Sequence, residues 1–242
     1  MSYIFREHIK QSLAVIVFLI TLTACTSESY DAGDGPNSYL TADLVLLHTS
    51  QDKSVRSALL DDGTTLQFSN PFAQDWLTRP DSVYRALLYY DKTVAASDAA
   101  ASNPTATSIV RARSVRPVSV LRPVEAEDME TLRTDPVGFE SLWMSKNKSY
   151  INLSLLLKSG KTEADDALHS LGIVSHGTTT DADRRRTLHL TLYHDQGGVP
   201  AYYTVQQYVS IPTQLLEEAD TIELTLNTYN GKKVVKVAVS NL

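Results

Sequence analysis

From Tyr39 onward the chain alternates apolar and polar positions with a period of two, the signature of strands with one buried face. Leu40, Ala42, Leu44 and Leu46 alternate with Thr41, Asp43, Val45 and Leu47. A second strand is predicted over 54–60, and Asp61-Asp62-Gly63 behind it is a hairpin turn. In a third strand Thr64, Leu66 and Phe68 alternate with Thr65, Gln67 and Ser69. A loop over 70–81 carries Trp76 and two prolines and leads into a fourth strand, SVYRALLYYD at 82–91. Residues 94–108 show no period and read as an Ala/Ser/Asn/Pro loop, followed by a fifth strand over 109–120. Five short strands in one uninterrupted span predict a small closed barrel over 39–122.

Residues 121–140 break the pattern with three Pro or Gly residues and six acids, and are read as an interdomain connection with a helical turn near 125–132. Strands are then expected near 141–145, 150–158, 168–174, 186–194, 202–210, 220–228 and 232–240. Leu188, Leu190 and Leu192 face one way and Thr187, His189, Thr191 and Tyr193 the other. Tyr229-Asn230-Gly231 is a hairpin turn, across which Ile222, Leu224 and Leu226 are expected to meet Val235, Val237 and Val239. PTQLLEEA at 212–219 is the segment best suited to a short helix, with Pro212 near its start. Regular turns and the lack of a long helical period predict that 123–242 forms an immunoglobulin-like β-sandwich. The fold class is therefore all-β in two parts.

The N-terminus has a different pattern. Arg6 and Lys10 precede an apolar run, LAVIVFLITL at 13–22, and then Leu22-Thr23-Ala24-Cys25. A basic start, a short apolar run and a small-residue cleavage site make a secretory signal over 1–24. The run is too short to span a bilayer, which takes about 20 apolar residues. Leu-Thr-Ala-Cys resembles a lipobox, at which the cysteine thiol is alkylated by a lipid and becomes the mature N-terminus. Cys25 is the single cysteine of the 242-residue chain, so no intramolecular disulfide forms even though an exported compartment would permit one. Residues 25–38, polar and rich in Gly, Ser and Asp, are a flexible tether. Asp31, Asp34 and Gly35 lack the alternating acids and closing Glu of a calcium loop.

Charge changes the picture only modestly. The chain carries a net charge of −6, and the signal segment removes one positive charge from it. The first folded part is close to neutral, with nine bases and eight acids over 39–122; the second is acidic, with eleven bases and sixteen acids over 123–242. No basic surplus points to nucleic acid.

Several segments are specific enough to compare with a family. DDGTTLQF at 61–68, SVYRALLYYDK at 82–92, AYYTVQQYVSIPTQL at 201–215 and TIELTLNTYNGKKVVKVAV at 221–239 resemble the NigD-like lipoproteins. The resemblance covers nearly the whole mature chain. It implies an OB-like N-terminal barrel, a C-terminal β-sandwich and a lipid anchor. The family takes its name from a bacteriocin locus, and an immunity role is what that origin implies. It carries no catalytic residues over to this sequence.

Candidate chemistry is sparse. His189 and His194 are five apart on one strand and point to opposite faces. His169 and His176 flank a turn near Asp165 and Asp166 and are placed to meet, but three or four convergent ligands are not visible. No metal site or cofactor is expected. No Gly-x-Ser-x-Gly elbow, Walker sequence or Gly-x-Gly-x-x-Gly occurs, and the one cysteine is committed to lipid, so no catalytic residue is assigned and no enzymatic activity is expected. Arg111 and Arg113 share a strand face that Arg85 is placed to join. They read either as a stripe for an anionic ligand or, by preference, as a solvated face paired with nearby acids. Tyr202, Tyr203 and Tyr208 crowd another strand, to contact a glycan or protein partner or, by preference, to fill core.

The expected function is that of an exported, non-enzymatic binding lipoprotein, immunity-like in one version. A glycan-binding accessory protein is the alternative, and a hydrolase with an unrecognised site the third reading. The expected location is the cell envelope, at the outer membrane, held by the lipid.

Overall fold

The computed structural model describes residues 40–92, 108–161, 168–216 and 218–239. The signal segment, the tether with Cys25, most of the 94–108 loop, and Asp165 and Asp166 lie outside the described residues. No helix among the described residues is long and apolar enough to cross a membrane.

Five strands close a barrel: β1 (Leu40–Thr49), β2 (Val55–Leu60), β3 (Thr65–Phe72), β4 (Val83–Lys92) and β5 (Ser108–Pro117). Their order is β1-β2-β3-β5-β4, with β4 returning to β1. All pairs are antiparallel except β3 with β5, the connectivity of an OB-like barrel. Gly63, at φ +90°, makes the tight β2–β3 turn where a side chain would be strained. The barrel interior is filled by Val45, Leu47, Val55, Ala58, Leu66, Phe68, Ala86, Leu88 and Val110, with Leu77 of the β3–β4 loop as a plug. On β1 the interior residues are Val45 and Leu47; Leu44, on the opposite face, is buried in a separate cluster.

Nine strands form the sandwich. One sheet has the order β14-β13-β11-β10-β7 and the other β6-β12-β9-β8. The strands are β6 (Ser119–Val120), β7 (Pro123–Glu125), β8 (Gly138–Met144), β9 (Tyr150–Ser159), β10 (Ser170–Thr180), β11 (Arg186–Asp195), β12 (Tyr203–Pro212), β13 (Thr221–Thr228) and β14 (Gly231–Ala238). All seven strands expected from periodicity are present. The two short ones, β6 and β7, are not legible as alternation: each pairs parallel with a long strand, along two or three residues. β7 falls in the segment read as a connection, where Val137 is fully buried, whereas β6 falls at the end of the expected fifth barrel strand, which stops at Pro117 and hands Ser119–Val120 to the sandwich. The connection's helical turn is a 3₁₀ turn at Ala126–Asp128. The helix expected over 212–219 shrinks to a 3₁₀ turn at Thr213–Leu215, because Leu216 returns to extended backbone. Across the last hairpin Ile222 faces Val237, Leu224 faces Val235 and Leu226 faces Lys233, so each pair lies one step nearer the turn than the match expected with Val235, Val237 and Val239.

Leu188, Leu190 and Leu192 point into the core from β11, as the alternation predicts, against Ile151, Leu153 and Leu155 of β9. β9 is buried on both faces: its Asn152 and Ser154 alternate with those apolar residues, yet are 0% and 2% exposed. The other side of this sheet faces the barrel.

Leu153 is fully buried between the two sheets, so Leu153→Ala should lower unfolding stability by about 2–5 kcal/mol. Urea denaturation followed by circular dichroism measures this; an unchanged midpoint would mean that the inner face of β9 does not carry the sandwich core.

Candidate functional site

The polar side of β9 explains how barrel and sandwich are joined. Arg85 on β4 is 5% exposed and lies between them. Its Nη1 and Nη2 donate to Asp61 Oδ1 and Oδ2 at 2.6 and 2.7 Å, the fork-to-fork geometry of a guanidinium on a carboxylate. Nη2 also donates to Asn152 Oδ1 at 3.0 Å and Nε to Ser210 Oγ at 3.1 Å. The Tyr150 ring lies 4.3 Å from the guanidinium carbon. Asn152 Nδ2 returns a bond to Asp61 Oδ2, and Ser210 donates to Asn152 Oδ1. Asp61 belongs to the β2–β3 turn, Asn152 to β9 and Ser210 to β12, so one cation ties three elements across the domain boundary. Beside it lies an apolar cluster of Leu44, Leu87 and Val118 with Tyr89, Trp143 and Tyr208.

These contacts frame a cleft of about 430 Å³. The barrel side contributes Ala42, Asp43, Leu44, Leu60, Asp61, Asp62, Leu87 and Tyr89. The sandwich side contributes Glu140, Trp143, Met144, Lys146, Ser154, Gln206 and Tyr208, among others. Trp143 meets Tyr208 edge-on, with ring centres 6.3 Å apart. Glu140 accepts hydrogen bonds from Ser154 Oγ at 2.6 Å and from the Gln206 amide, and these lower its pKa. Asp62 is opposed by partial burial, but the Thr64 backbone and side-chain donors and the Lys146 charge prevail and lower its pKa too. Asp43 accepts the Tyr90 hydroxyl at 2.8 Å. The Tyr90 hydroxyl is pushed far up by burial and by that carboxylate.

The expected arginine face is not assembled. Arg85 does not join Arg111 and Arg113 on an outer surface, because its side chain points the other way into the domain junction and is 1% exposed. Arg111 and Arg113 are both exposed on β5, but a bulge falls at Arg113, whose guanidinium pairs with Asp91 of β4. The tyrosines separate as well. Tyr202, just before β12, and Tyr203, at its start, are 78% and 50% exposed, while Tyr208 lines the cleft from the face of β12 opposite Tyr203. Trp143, Glu140 and Gln206 escaped the sequence reading. The alternation of Asn152 and Ser154 with apolar residues on β9 carried no signal of them, because polar residues in that pattern read as solvent-facing.

The histidines pair differently from the expectation. His169 meets His194, not His176: the rings stack with centres 5.2 Å apart and Nδ1 of His169 lies 3.0 Å from Nε2 of His194. His176 instead bonds Thr191. His194 is fully buried and its Nδ1 contacts the Asp135 carbonyl oxygen at 3.0 Å, which makes that nitrogen the donor and leaves Nε2 to accept from His169. No group of three or more metal-binding side chains occurs among the described residues.

Against known proteins, residues 120–239 match the NigD-like C-terminal beta sandwich domain. Through that domain the chain belongs to the NigD-like family. Solved structures share the NigD-like fold over nearly all of their length. A NigD-like immunity protein from Bacteroides caccae is 22% identical at a TM-score of 0.58, covering 81% of this chain and 91% of its own. A toxin-related protein candidate from Parabacteroides distasonis is 18% identical at a TM-score of 0.54, covering 82% and 92%. A lipoprotein candidate from Bacteroides fragilis is 14% identical at a TM-score of 0.56, covering 82% and 97%. At these identities the likeness is one of fold. No curated protein matches the chain.

Two outcomes test the geometry. Asn152→Ala leaves Arg85, Asp61 and Ser210 each short of a buried partner and should cost about 1–3 kcal/mol in chemical denaturation. The second concerns pH. Burial first, and the neighbouring His194 second, lower the pKa of His169 below its ordinary 6.5. The unfolded chain therefore binds a proton that the folded one refuses. The stability is complete above pH 6.5 and is lost as pH falls from there toward the lowered folded value. Melting temperature should drop over that window, and His169→Gln should flatten the slope; an equal slope in the variant would remove His169 as its source.

Proposed function

We propose that this protein is an exported, lipid-anchored envelope protein that binds a partner without transforming it, and that the partner seats in the cleft between barrel and sandwich. The cleft carries the reading. Its walls come from two domains held in register by a buried guanidinium, and its lining offers rings, fixed carboxylates and an amide. Those groups suit recognition, and among the described residues that line the cleft there is neither a histidine nor a cysteine. The anchor rests on Leu22-Thr23-Ala24-Cys25, and a fold relative from Bacteroides fragilis described as a lipoprotein candidate supports it. The outer membrane is the proposed site. An immunity-like role, binding a toxin before it acts, draws on the relatives described as a NigD-like immunity protein and a toxin-related protein candidate.

Exposed Tyr202 and Tyr203 favour the glycan-binding alternative, because rings in water can stack on sugars. A glycan array with the purified protein decides it: retention that disappears in the Tyr202→Ala/Tyr203→Ala double variant would establish that surface.

Anchoring is tested by mass spectrometry of the protein from its native membranes. The mature chain should begin at a lipid-bearing Cys25, and Cys25→Ser should leave the membrane fraction. A bare thiol on a chain that still begins at Met1 would refute export by this route. For the immunity version, deleting the gene should sensitise cells to a toxin encoded beside it, with rescue by the wild-type chain and loss of rescue on Trp143→Ala.

A further inference from the structure

The cleft is one-sided in charge. Asp43, Asp62 and Glu140 bring carboxylates to it, a fourth from Asp61 is engaged by Arg85, and Lys146 is the one cation among the described residues that line it. The partners of these carboxylates matter more than their number. Glu140 is held by a serine hydroxyl and a glutamine amide, and Asp43 by a tyrosine hydroxyl. Asp62 is held by the Thr64 backbone N–H at 2.9 Å. Neutral donors fix a carboxylate's direction without cancelling its charge. An acid placed only to stabilise a domain junction would be expected to meet a cation, as Asp61 does. Here, beside Asp61, sit charges that are fixed in direction and left largely uncompensated at the edge of an apolar wall, where the field is focused rather than dispersed.

That wall is the second half of the argument. Trp143 and Tyr208 line the same cleft, with Leu44 and Leu87 at its base. Anions are repelled from such a site, and a neutral sugar, although its hydroxyls can donate to the carboxylates, leaves their excess negative charge uncancelled beside the single Lys146. A guanidinium or ammonium on an apolar stem matches both parts: the stem covers rings and leucines, and the head meets carboxylates and ring faces. At about 430 Å³ the cleft has the size of a ligand site and exceeds what a single head group needs.

We infer that the cleft takes a basic segment of a protein partner, with arginine or lysine head groups on Asp43, Asp62 and Glu140 and their stems against Trp143 and Tyr208. This rests on the cleft being the ligand seat, and names what sits there.

The test uses the full chain in detergent micelles, titrated calorimetrically with an amidated hexapeptide of alternating arginine and glycine. The same peptide with glutamate for arginine and cellohexaose, a neutral hexasaccharide, are run beside it. The arginine peptide should bind and the other two should not, with affinity falling as salt is raised. Asp62→Asn/Glu140→Gln should weaken it about tenfold. Asp75→Asn/Asp183→Asn, which changes net charge equally at exposed positions outside the cleft, should leave it unchanged. No binding of the arginine peptide, or equal weakening by both double variants, overturns the proposal. Binding of the saccharide alone, lost on Trp143→Ala, would keep the cleft as the seat and remove the basic segment as its occupant. If no probe responds to any cleft variant, the seat itself falls as well.

Discussion

A guanidinium withdrawn from water between two domains is the constraint on which this structure turns. Moving such an ion inside costs several kcal/mol, and the cost is offset only where geometry is good and further hydrogen bonds are made around the ion pair. Arg85 meets those terms with a forked bond to Asp61, two bonds to Asn152 and Ser210 and the face of Tyr150. No single element supplies this set. The turn carrying Asp61 must be closed by Gly63, β9 must present Asn152 away from its leucines, and β12 must lie beside it in the register that pairs Ser210 with Asn152. A shift of one residue in either sandwich strand would turn the polar partners into the core and leave the cation bare. Such interactions specify an arrangement more than they stabilise it, and what is specified here is how the barrel sits on the sandwich.

The cleft follows from that arrangement. Beside Arg85, Leu44, Leu87, Tyr89, Trp143 and Tyr208 pack across the boundary, and further out the two surfaces diverge and leave a lined opening. Asp61 belongs to both the lock and the lining. Any partner that enters therefore meets walls already in position, so little of its binding energy goes to ordering the protein.

Much of the fold was legible because a strand writes its burial in its alternation. Leu188, Leu190 and Leu192 on β11 and the Asp-Asp-Gly turn before β3 are where the pattern puts them. β6 and β7 were not, since two or three residues carry no period and are held in the sheets by parallel neighbours. The site was far less legible. Arg85 reads in sequence like Arg111, a cation on an alternating strand; only the approach of a second domain makes one buried and leaves the other in water. Asn152 and Ser154 look like solvent-facing polar residues for the same reason. Trp143, Glu140 and Gln206 come from two strands more than 60 residues apart, joined through β9, and nothing local connects them. Sequence alternation reports which face is covered within one domain, and falls silent on what a second domain covers.

The tryptophans offer a direct test of the lock, because the chain has two: Trp76 packs against the barrel core and Trp143 lies on the sandwich side of the junction. Single-tryptophan variants, Trp143→Phe and Trp76→Phe, make fluorescence report on one domain at a time during equilibrium unfolding in urea. With Arg85 present the two reporters should lose structure at the same denaturant concentration. With Arg85→Ala in the same backgrounds the transitions should separate, each domain melting by itself. Coincident transitions at an unshifted midpoint in the Arg85→Ala proteins would contradict the account, since the domains would then be coupled by something other than the buried guanidinium.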